Sequence, residues 1–125
     1  MGTIDGNRRA VARLYEGFDR RNIAGAADVL HEDLVVHNAK MAPGRAGFVG
    51  FLEQVLARAP EMKLHVKRVV ADEDHVVVHS HIEPAPGARG RMAVDIFRLA
   101  DGMVVEHWDI GADVAEQSVS GNPPF

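Results

Sequence analysis

Beyond Pro60 the chain reads almost entirely as sheet, and this constrains its architecture more than any other feature. Segments 62–71, 75–83, 91–99 and 103–110 are short, rich in Val, Ile and Phe, and separated by turn-forming residues. The separators are Asp72-Glu73-Asp74, the loop 84–90 (PAPGARG) and Ala100-Asp101-Gly102. The first half follows the other period. Val11, Leu14, Tyr15 and Phe18 recur at helical spacing over 7–19. Asn22 is placed to cap a second short helix through Leu30, and 34–37 (LVVH) reads as a first strand. After a Pro- and Gly-bearing loop, Phe48, Phe51, Leu52, Val55 and Leu56 trace a third helical stripe over 47–59, which Pro60 ends. Helices first and antiparallel strands afterwards is the α+β layout. With 125 residues, 46% of them hydrophobic, one domain spanning 1–125 is expected, with 1–6 and 112–125 as extended tails.

Composition removes several function classes. The absence of cysteine excludes disulfides, thiolate metal sites and a cysteine nucleophile. The formal net charge is −4, and no basic run exceeds Arg8-Arg9 or Arg20-Arg21, which argues against a nucleic-acid surface. No apolar stretch approaches the ~20 residues a membrane helix needs. The opening MGTIDGNRR lacks the apolar middle of a secretory signal, so a cytoplasmic location is expected. Phosphate loops, a serine elbow and a dinucleotide fingerprint are absent, because PGARG opens a strand and not a helix.

Seven histidines remain to be explained, most of them in or beside strands. Strand registers suggest where they meet. A three-residue loop ending in Gly sets Leu99 opposite Met103, Phe97 opposite Val105 and Asp95 opposite His107. Symmetric pairing around PAPGARG sets Glu83 opposite Arg91, His81 opposite Ala93 and His79 opposite Asp95. The two registers together predict a row of His79, Asp95 and His107 on one face, with opposed Cβ atoms ~5 Å apart. A slip of one residue in either hairpin would break the row. Val76, Val78, Val94, Ile96, Val104, Trp108 and Ile110 fall on the other face, too apolar to meet water. Helices would cover one face and a second copy of the chain, packed on the side of Trp108, the other.

Asp95 between Val94 and Ile96 needs a partner. Paired with imidazoles it becomes an acid–base candidate, and paired with Arg91 or Arg98 a structural ion pair. His107 and His79 share both readings. His81 and His37 are candidates for the pocket wall or, equally, ordinary strand-end histidines. Asp109 lies one step further along the face of His107. Trp108 reads as packing, and His31, His65 and His75 as surface or turn residues. His79-x-His81 with His37, Asp95 and His107 also has the residue types of a metal site.

His37-Asn38 followed by Gly44, then VVVHSHIEPxPGxRG (76–90), DIFRLADGMVVEHWDI (95–110) and the Asn-Pro-Pro-Phe end resemble the SnoaL-like proteins. These belong to the nuclear transport factor two-like superfamily, with polyketide cyclases, ketosteroid isomerase and scytalone dehydratase. The resemblance runs from Tyr15 to Phe125. It implies a cone in which three helices close a strongly curved antiparallel sheet around an apolar pocket, usually as a dimer. It also implies chemistry without metal or cofactor. In the cyclases an Asp on the last strand works with a nearby His in an intramolecular aldol closure. Asp109 matches the Asp, and the region of Asp95 and His107 matches its partner, although Asp95 stands where the cyclases tend to carry His. Tyr15, Phe18, Phe97 and Val105 are expected to line the pocket beside His37 and His81.

Three functions follow as expectations. The first is a cofactor-independent lyase, isomerase or cyclase acting on a small apolar carbonyl compound. Asp95 or Asp109 would remove the α-proton, and protonated His107 or His79 would steady the enolate oxygen. The second is a ligand-binding or dimerisation module of the same shape, and the third a His/Asp metal-assisted enzyme.

Overall fold

A computed structural model describes residues 2–125. Helix α1 spans Ile4–Asp19, starting earlier than the apolar stripe implies because the Thr3 hydroxyl accepts from Gly6 N at 2.9 Å. Asn22 does cap the next helix, accepting from Gly25 N, but α2 is only Ile23–Ala26 and passes into a 3-10 turn at Ala27–Val29. Strand β1 (Leu30–Val36) follows, then helix α3 (Gly44–Arg58). Four further strands complete the chain: β2 (Lys63–Ala71), β3 (His75–Glu83), β4 (Arg91–Ala100) and β5 (Met103–Asp113). Neither tail is as long as expected, since α1 includes residues 4–6 and β5 includes 112–113. No described helix is long and apolar enough to cross a membrane.

The strands form one curved five-stranded sheet in the order β1-β5-β4-β3-β2. It is mixed, not wholly antiparallel: β1 runs parallel to β5, with Val36 beside His107. A parallel neighbour needs a long crossover, here everything from α3 to β4, and that pairing has no local signature in the sequence.

Both hairpin registers differ from expectation, each for a local reason. Asp101 and Gly102 take φ of 51° and 79°, so they alone form the turn and Ala100 pairs with Met103. Positive φ at both central positions is the tight turn that Asp-Gly favours. One extra residue on β5, Val105, bulges between the pairs Leu99–Val104 and Arg98–Glu106. The net slip is two residues, which preserves faces: Asp95 now opposes Asp109, and Phe97 opposes His107. Across PAPGARG the slip is one residue. Ile82 pairs with Arg91, His79 with Val94 and Val78 with Asp95. Gly90 fixes this register: its φ is 66°, and a Cβ there would lie 1.9 Å from the Ile82 carbonyl oxygen. The slip turns His79 and His81 to the outer face.

Helices and the inner sheet face enclose a core of Val11, Leu14, Leu30, Leu34, Phe48, Val76, Val78, Phe97, Leu99 and Val104. Further along the same face, where Ala93 and Gly111 replace large side chains, the core opens into a cavity.

Candidate active site

The cavity has a volume of about 340 Å³. Leu14, Tyr15 and Phe18 of α1, Phe48, Phe51, Leu52 and Val55 of α3, and Leu64, Ile82 and Phe97 of the sheet give it apolar walls. Its polar groups come mainly from β4 and β5, where the tight turn and the bulge bring Asp95, His107 and Asp109 onto the inner face.

Asp95 is the centre of this group, its side chain 20% exposed. His107, on the β5 diagonal and 1% exposed, donates from Nε2 to Asp95 Oδ1 at 2.8 Å. Tyr15 donates from its hydroxyl to Asp95 Oδ2 at 3.2 Å. Neither Arg91 nor Arg98 pairs with Asp95. They bind Asp113 at 2.6 Å and Glu106 at 2.9 Å, which sets aside the ion-pair reading. A carboxylate with a donor on each oxygen keeps further lone pairs for a ligand.

The partners constrain one another. His107 is walled by Phe48 (rings 5.2 Å apart) and Phe97 (4.9 Å), and its Nδ1 is buried with no hydrogen-bond partner among the described residues. The bond to Asp95 places a ring proton on Nε2, since a carboxylate oxygen only accepts. Burial pushes the Tyr15 phenol well above its ordinary value of 10, and the neighbouring charges of Asp95 and Asp109 push the same way. Tyr15 is therefore a hydrogen-bond donor at any ordinary pH. Asp109, opposite Asp95, accepts from Asn38 Nδ2 at 2.9 Å.

The candidates thus divide in two. Asp95, His107, Asp109, Tyr15, Phe18 and Phe97 all line the cavity. His79, His81, His37 and Val105 do not. His79 faces outward, where its Nδ1 meets Arg68 and its Nε2 donates to the Pro124 carbonyl oxygen. His81 donates to the Arg89 carbonyl oxygen and stacks under Phe125 at 4.2 Å. His37 stacks flat on Trp108 at 4.9 Å and meets Glu106 at 2.8 Å, so it serves the outer face. That contact, with Arg98 second, lowers the Glu106 carboxyl below its ordinary range. Val105 is the bulge residue. The row His79–Asp95–His107 does not exist, and its place is taken by Tyr15–Asp95–His107. Asn38 and Arg91 escaped the sequence reading of the site. Asn38 sits beside His37 at the strand end, and Arg91 shares the alternation of Asp95, a signal that was there to use.

Asp95, His107 and Asp109 each offer a ligand atom within 4.8 Å of the others. A hard cation could be held by such a set, but only by displacing the Nε2 hydrogen bond to Asp95. His79-x-His81 and His37 point away from it and add no ligand.

Residues 11–107 match the SnoaL-like domain model. The chain belongs to the SnoaL-like family. Similar solved structures include IdmH, a proposed polyketide cyclase from Streptomyces antibioticus, at 25% identity and TM-score 0.70, covering 84% of this chain and 91% of its own. AclR from Streptomyces galilaeus, a proposed hydroxylase, is similar at 22% identity and TM-score 0.74, with coverages of 88% and 91%. A proposed ketosteroid isomerase from Kribbella flavida matches at 20% identity and TM-score 0.74, with coverages of 92% and 84%. The last two likenesses establish the fold alone. No curated protein matches this SnoaL-like sequence.

Proposed function

We propose that this SnoaL-like chain is a cofactor-independent acid–base enzyme acting on a small, largely apolar carbonyl compound, as a lyase, isomerase or aldol-type cyclase. One observation carries the reading: a carboxylate, Asp95, is held by Tyr15 and His107 inside an apolar cavity large enough for a small molecule. In such surroundings a carboxylate is costly unless it is bonded, and bonded it is a positioned base. Asp95 takes the proton α to the substrate carbonyl. The C–H electron pair becomes the enolate double bond, and the carbonyl pair moves to oxygen. Tyr15, already a neutral donor beside Asp95, turns its hydroxyl to that oxygen as Asp95 gains the proton. Asn38, which spends one amide N–H on Asp109, has a second for the same oxygen. The enolate then attacks a second carbonyl carbon, whose π pair moves to its oxygen and takes the proton from Asp95 to give a hydroxyl, or the enolate takes that proton back at another carbon. Either way Asp95 is restored as the base. His107 is a positioning residue that fixes the orientation of Asp95.

The test is a panel of β-keto and aldol substrates with wild type and Asp95→Asn. Activity should fall by about 10²–10⁴-fold in the variant, with the circular dichroism spectrum unchanged. Equal turnover by both proteins would remove the reading, and ligand binding without turnover by either would favour a binding module. We also propose that the chain forms a homodimer through the outer sheet face bearing Trp108, where Ile110 (69%) and Val70 (64%) stand exposed.

A further inference from the structure

We propose that the mouth of the cavity is an anion subsite. Arg91 would bind a carboxylate, or a comparable anionic group, on the substrate whose reactive carbonyl lies at Asp95. The inference rests on the carbonyl reading above and narrows it, from a wholly apolar substrate to an apolar body with one anionic end.

Among the described residues, Arg91 is the one Lys or Arg that lines the cavity. It shares the inner face of β4 with Ala93 and Asp95, four residues from Asp95, a separation of about 13 Å along the strand. Small residues occupy the sheet between them, since Ala93 pairs with Gly111. The guanidinium lies over that glycine: a Cβ on Gly111 would be 3.2 Å from Arg91 Nη2 and 3.8 Å from Nε. Arg91 Nη1 does bind Asp113 Oδ1 at 2.6 Å, but the two side chains are 51% and 82% exposed. A solvent-facing pair of that kind contributes little and exchanges readily. A ligand carboxylate carried in by an apolar body can take the guanidinium fork instead. The other end of the cavity carries Asp95 and Asp109, which repel an anion. Charge therefore fixes the direction of entry, with the anionic end at Arg91 and the carbonyl end inward.

Fluorescence titration with 2-naphthylacetic acid and its methyl ester tests the subsite without requiring turnover. Wild type at low ionic strength should bind the acid at least about fivefold more tightly than the ester, with the margin shrinking as salt is added. Arg91→Gln should abolish that margin while leaving ester binding unchanged, and the ester thereby reports an intact cavity. Equal or weaker binding of the acid by wild type, or a margin that survives in Arg91→Gln, would overturn the subsite alone. Failure of both probes to bind would overturn it together with the apolar-cavity reading on which it rests.

Discussion

Tyr15 shows how one side chain can link stability to the site. Its phenol is enclosed beside two carboxylates, so deprotonation is penalised in the folded chain and not in the unfolded one. A group whose folded value lies above its unfolded value of 10 contributes fully below pH 10, and its contribution falls as pH rises beyond that. Wild type should therefore lose stability above pH 10 more steeply than Tyr15→Phe, as urea unfolding at pH 8 and pH 11 would show. Parallel curves would mean the phenol is not enclosed as described. The same substitution removes a donor from Asp95 and should lower turnover by about 10-fold or more at neutral pH, read as kcat with KM measured alongside. Tyr15 and Phe18 were legible as an apolar helix face lining a pocket. The hydroxyl's bond to Asp95 was not, because it joins residues 80 apart in the chain.

Among the elements, the hairpins decide which residues meet. The strand-forming segments were readable with ends within a few residues, since β-branched runs and Gly/Pro turns are local signals. Registers were less so. The Asp101-Gly102 turn and the Val105 bulge shifted one pairing by two residues, and His107 still reached Asp95 because an even slip preserves faces. PAPGARG shifted the other by one, and His79 left the site. Gly90 enforces that second register through its left-handed backbone and its contact with Ile82. Gly90→Ala should destabilise the chain by about 2 kcal/mol or more, measured as a shift in the urea midpoint. Gly87→Ala offers a control: φ is also positive, at 80°, but the added Cβ meets nothing within 4 Å. If both substitutions cost the same, the Ile82 contact does not hold the register.

For the molecule as a whole, the two faces of one sheet divide the work. The inner face turns from packed core to open cavity within β3, β4 and β5. The outer face carries the His37–Trp108 stack and the folded-back chain end, with Phe125 on His81 and Lys67 5.0 Å above Phe125. A homodimer built on the Trp108 side predicts a concentration-dependent dimer in sedimentation, weakened by Ile96→Glu on the outer face of β4. A wild-type chain that sediments as a monomer throughout the concentration series would reject that arrangement. The sequence by itself determined the α+β class, the order of helices before strands, the family likeness and the placing of Asp95 and His107 on one sheet face, because periodicity and the even alternation of strands are written locally. Only the tertiary structure decided that β1 lies parallel to β5, that Tyr15 replaces His79 beside Asp95, and that Arg91 stands at the cavity mouth. Those outcomes depend on loop conformations and on packing between distant segments, where one residue of slip reverses a face and no short stretch of chain records the result.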